Sequence, residues 1–134
     1  MSAPELHPQL QADCHDIGAL ASGRLLLSRN ASLHWLLLVP DTEAIDLLDM
    51  HDDALALVMR DCQHISQWLK QAHAYPKVNF GALGNLVPQL HLHIIGRRPD
   101  DPCWPQPVWG NLPLGAAWPE GEIAAIRKAL IHDN

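Results

Sequence analysis

Residues 89–95, Gln-Leu-His-Leu-His-Ile-Ile, set Gln89, His91 and His93 in alternation with Leu90, Leu92 and Ile94. A strand sends successive side chains to opposite faces, so an extended chain here carries one amide and two imidazoles on one side. The aliphatic groups fall on the other side, toward a core. Imidazole titrates near neutrality and can act as nucleophile, proton shuttle or metal ligand. This segment thus predicts a sheet and also the place where the sheet does its chemistry.

The rest of the chain supplies elements to build around it. Residues 7–14 read as a short helix entered through Pro8, and Gly18 and Ser22-Gly23 then punctuate the chain. The apolar runs 24–28 and 34–39, separated by Asn30-Ala31-Ser32, predict a hairpin ended by Pro40. A short helix is expected over 44–48, capped by Asp41 or Thr42. From Asp52 to Ala72 the residues Leu55, Val58, Met59, Cys62, Ile65 and Leu69 recur at helical steps, with Asp52-Asp53 at the start and Lys70 near the end. Residues 77–83 read as a strand leading through Gly84 into the histidine strand. The proline- and tryptophan-rich stretch 99–119 predicts no regular structure, with Trp104 and Trp109 able to pack over a pocket. Residues 120–132 close the chain as a helix. The pattern predicts one α+β domain over 1–134, with helices on one face of a mostly antiparallel sheet. The face of Gln89, His91 and His93 is expected to be the one the helices leave open.

Composition narrows the partners. With 15 acidic and 9 basic residues the net charge is −6, and no Lys/Arg cluster offsets it, so nucleic acid is not an expected partner. Arg97-Arg98 read as a solvated strand end or a contact to a small phosphorylated ligand. No apolar run nears the roughly 20 residues of a membrane span, and the first residues carry no basic-then-apolar leader. Cys14, Cys62 and Cys103 are far apart and form no CxxC pair, which predicts reduced thiols and a cytoplasmic location.

The residues alone leave three readings of His91 and His93. They are structural rings satisfied by hydrogen bonds, or they are two ligands of a metal completed from His34, His15, Asp16 or Cys103. In the third reading a neutral imidazole attacks phosphorus. Its second nitrogen donates to a fixed acceptor such as a strand carbonyl, and a neighbouring histidine protonates the leaving group. Trp35 and Trp68 read as core, His15-Asp16 as a surface turn, and His51, His64 and His73 as solvated.

The segment Gln89–Ile95 resembles the histidine triad motif, His-φ-His-φ-His-φ-φ, where φ is hydrophobic. The likeness extends to 34–40, which ends in Val-Pro, to the long helix from Asp52, to Asn79 in Val-Asn-Phe-Gly, to Asn85 ahead of the motif, and to Trp104-Pro105 after it. The resemblance implies a five-stranded antiparallel sheet with a long helix and a C-terminal helix, commonly in a homodimer. It implies hydrolysis or transfer at the α-phosphate of a nucleotide, of the phosphoramidase or dinucleoside polyphosphate kind, with no cofactor and no metal. His91 would be the nucleophile, and His93 would contact phosphate or leaving group. Asn79, Asn85, His34 and Trp104 would serve substrate binding, and the nucleoside would lie near 27–30. Gln89 stands where the family has its first histidine. An alternative follows from that departure, a nucleotide-binding module with weak or no catalysis.

Overall fold

The computed structural model describes residues 4–131. Its elements run α1 (Pro8–Asp13), β1 (Cys14–Ala19), β2 (Gly23–Ser28), β3 (Trp35–Pro40), a 3-10 turn at Leu47–Asp49, α2 (Asp52–His73), β4 (Lys77–Gly81), β5 (Leu92–Arg97) and α3 (Glu120–Leu130). The five strands form one antiparallel sheet in the order β1-β2-β3-β5-β4.

Directly opposed residues of antiparallel strands share a face. Leu36 pairs with Ile94 and Leu38 with Leu92, and these four side chains meet Val58, Cys62, Ile65 and Leu69 of α2 and Ile126 and Leu130 of α3. Ile65 and Leu69 are fully buried, so truncating either to alanine costs about 2–5 kcal/mol. The stripe read in 52–72 is thus the inner face of α2. The acidic pair Asp52-Asp53 lies in its first turn and Lys70 and His73 in its last, matching the helix dipole.

The opposite face of the sheet holds a smaller cluster of Leu26, Leu37 and Val39 with Cys14, Val87 and Leu10 of α1. That corrects the expectation that all helices share one layer. Two local devices start α1, and Leu10 packs it onto this face. Pro8 stands at its start, and the His7 ring accepts from Gln9 N at 3.0 Å.

Three further expectations change. Residues 14–19, with His15-Asp16 read as a turn, form edge strand β1, whose register shifts between Asp16 and Gly18. The helix expected at 44–48 is only the 3-10 turn, because the Thr42 hydroxyl accepts from Ala44 N in a local turn. The histidine strand is shorter than expected: the ladder begins at Leu92, after a bend at Gln89. Residues 99–119 hold neither helix nor strand, as expected. The end of the last expected helix, His132, lies outside the described residues. Among the described residues no helix is long and apolar enough to cross a membrane, and the three cysteines are free thiols.

Candidate active site

His93 sits mid-ladder in β5, opposite Leu37 of β3 on one side and Gly81 of β4 on the other. Trp35 of β3 lies on the same face, and its indole N–H donates to His93 Nδ1 at 3.0 Å. The Trp109 ring stands nearly perpendicular to His93, with centroids 5.1 Å apart. Gly81 makes room for it: a Cβ there would lie 3.3 Å from the Trp109 ring.

His91 precedes the ladder. Its Nδ1 is 2.7 Å from the carbonyl oxygen of Gln89, and its ring centroid is 4.9 Å from that of His93. The bend at Gln89 brings that carbonyl back onto the imidazole. The two residues are 7% and 6% exposed, so most of each is packed against the protein.

The partners fix both tautomers. A carbonyl oxygen only accepts, so the neutral form of His91 is the tautomer with its proton on Nδ1 and its lone pair on Nε2. An indole N–H only donates, so His93 Nδ1 is bare and its proton is on Nε2. Burial, followed by the neighbouring His91, pushes His93 down from 6.5 to about 4, so it is neutral at pH 7. One histidine therefore offers a lone pair and the next an N–H donor, on one side of one strand.

Both rings line a cleft of about 1010 Å³. Ser28, Arg29 and Asn30, Gly84 to Val87, Trp35 and Trp109, and residues of α1 complete its lining. Among the described residues, the Trp109 indole N–H is buried without a hydrogen-bond partner. A donor left so costs about 1–3 kcal/mol.

The structure gathers some expected site residues and scatters others. Asn85 is exposed on the cleft wall with the two histidines. Gln89 contributes its main chain to His91, but its side chain turns to the N-terminal segment. Asn79 shares the face of His93 and accepts from Arg97 at 2.9 Å, outside the cleft lining. His34 is on the far face, because neighbouring strand positions point oppositely: Trp35, not His34, reaches the histidine pair. There His34 Nδ1 is 2.7 Å from the Tyr75 hydroxyl and its ring stacks at 4.0 Å on His73, which is accordingly half-buried and not solvated. Gly96 permits this, since a Cβ at that position would clash with the Tyr75 ring. Trp104 lies outside the cleft, with the Arg97 guanidinium 5.5 Å from its ring centre.

Arg97 is not solvated, and it lies outside the cleft lining. It is 1% exposed and paired at 2.7 Å with Asp101, whose side chain is equally buried, and also bonds Asn79 and the Gln106 carbonyl. This network fastens the start of the 99–119 loop, the segment that carries Trp109, to β4 and β5. The signal was in the sequence: Arg97 continues the odd-numbered alternation of His91 and His93. The candidate metal ligands do not assemble; among the described residues no three His, Cys, Asp or Glu side chains are grouped to hold an ion.

The family model of the HIT domain matches residues 9–100. The chain belongs to the histidine triad family. A histidine triad protein from Bradyrhizobium japonicum is similar at 39% identity and a TM-score of 0.87, over 96% of this chain and 96% of that one. Another from Sinorhizobium meliloti is 34% identical with a TM-score of 0.87, over 94% of this chain and 93% of its own. One from Marinobacter aquaeolei is 32% identical with a TM-score of 0.87, over 96% and 94%. No curated protein matches the chain. Membership places this histidine triad chain in the general class of nucleotide-binding hydrolases and transferases.

Proposed function

We propose that this protein hydrolyses or transfers at the α-phosphate of a nucleoside phosphoramidate or dinucleoside polyphosphate, with His91 as nucleophile. The observation that carries the reading is the hydrogen bond from His91 Nδ1 to the Gln89 carbonyl, which leaves Nε2 as the attacking lone pair beside an open cleft. The His91 Nε2–P bond forms as the bond from phosphorus to the leaving group breaks. The leaving group departs with that electron pair and takes a proton from solvent in the cleft. The nucleotidyl-imidazolium keeps its Nδ1 proton on the Gln89 carbonyl, a charge-assisted bond stronger than the neutral one it replaces. Water then attacks phosphorus as the Nε2–P bond breaks, loses a proton to solvent in the cleft, and leaves the lone pair on Nε2.

His93, neutral and protonated on Nε2, supplies a hydrogen bond to a phosphate oxygen or to the leaving atom. Asn85 offers an amide from the cleft wall near the phosphate, and the nucleoside lies toward residues 28–30. The Gln89 substitution is compatible with this chemistry, because the acceptor His91 needs is a main-chain oxygen that any residue provides.

Turnover of adenosine phosphoramidates and dinucleoside polyphosphates tests the proposal. His91→Ala falls to background with an unchanged fold, whereas undiminished turnover in that variant contradicts it. The proposal includes a homodimer, supported by the family resemblance and by β4, the strand that ends the sheet and whose own Phe80 is 45% exposed. Light scattering at working concentration reads that state directly.

A further inference from the structure

Gln89 makes more contacts than its place in the motif requires. Its Oε1 accepts from His7 N at 2.8 Å and its Nε2 donates to the Glu5 carbonyl at 3.0 Å. The two partners are two residues apart in one short segment. An amide carries its donor and acceptor side by side and so matches an N–H and a C=O on one stretch of backbone. A carboxylate has no donor, and the two nitrogens of an imidazole point away from each other. Glutamine is therefore suited to this clamp in a way that the histidine of the family motif is not.

The clamp leads straight into the cleft. α1 follows the clamped residues, Leu10 anchors it in the smaller core cluster, and His7, Gln9, Leu10, Ala12 and Asp13 line the cleft. We propose that Gln89 is a positioning residue for specificity. Its side chain holds residues 5–13 as a fixed wall of the substrate cleft, while its carbonyl holds His91. The residue at the first triad position thus sets how wide the cleft is, and with it which nucleotides fit beside the nucleophile. The inference rests on the proposed nucleotide reading for the identity of its substrate, but the clamp itself is a statement about this chain alone.

A double-mutant cycle in the full chain tests it. Gln89→Met keeps the length of the side chain and removes both hydrogen bonds. His7→Pro removes the N–H that Oε1 accepts, at a position whose φ of −55° proline adopts without strain. His7→Ala is the control, which loses the ring and keeps the amide. The readouts are exchange of the His7 amide hydrogen, affinity for AMP, and KM and kcat for an adenosine phosphoramidate.

Gln89→Met is expected to speed exchange at His7 by about tenfold and to weaken AMP by a similar factor, with the loss in KM larger than that in kcat. Measured against the His7→Ala control, His7→Pro is expected to weaken AMP little further once Gln89→Met is present, because both changes break the one contact between the Oε1 and the His7 amide. Unchanged exchange and AMP affinity in Gln89→Met, or losses that simply add in the double variant, overturn the clamp. If the wild type turns nothing over, the proposed function fails, and the exchange and AMP arms still decide this inference.

Discussion

The Trp35 indole N–H points at His93 Nδ1 across 3.0 Å, and this contact sets which nitrogen of His93 carries a proton. Removing the donor frees the ring to exchange tautomers. Trp35→Phe is expected to convert the His93 nitrogen signals in NMR from one tautomer to a mixture. It is expected to lower turnover by about tenfold, the worth of one hydrogen bond lost from positioning. A single unchanged tautomer in that variant would show that something else holds the ring.

Acid should destabilise the fold in a defined window. Burial, then His73 and Arg98, holds His34 at about 4, and burial, then His91, holds His93 at about 4, against 6.5 for an ordinary histidine. Between those values the unfolded chain binds more protons than the native one. Stability therefore falls as pH drops from 6.5 to about 4, and these two groups add no further loss below that. His93 contributes at most on the order of 3 kcal/mol, and the more exposed His34 less. Urea midpoints across this range measure the slope, which His34→Gln should flatten. A slope untouched by that change would place the acid sensitivity elsewhere.

The Arg97–Asp101 pair holds the loop that brings Trp109 to His93. Asp101→Ala leaves a buried guanidinium without its carboxylate and is expected to cost about 3–5 kcal/mol. The same variant should raise the mobility of 99–119 and so reduce nucleotide affinity. Thermal unfolding together with hydrogen exchange in the loop reads both effects. A loss below about 1 kcal/mol, the range of exposed pairs, would contradict the structural role given to this pair.

These contacts also mark where the sequence was legible. Periodicity gave α2 and its buried face, because Val58, Cys62, Ile65 and Leu69 follow one helical stripe. Alternation gave β5 and the common side of His91 and His93, and the motif gave the family. β1 was missed because Cys-His-Asp-Ile-Gly-Ala is an edge strand with an irregular register, and that erases period-two patterning. His34 was preferred to Trp35 because the phase of one strand against its neighbour depends on register, and no residue of 34–40 announces it. The partners of Gln89 lie 82 and 84 residues away, a separation that local pattern does not encode. For Arg97 the odd-numbered alternation competes with the general tendency of arginines at a strand end to stay in solvent, and here the alternation prevails.

The most direct measurement is intact-protein mass after acid quench of a reaction with an adenosine phosphoramidate, with the adduct mapped by peptide sequencing. The account predicts one added adenylyl group on His91, absent from His91→Ala and retained in part by His93→Ala. Steady turnover with no adduct in the wild type, or an adduct on His93 or a cysteine, would contradict the assignment of His91 Nε2 as the atom that attacks phosphorus.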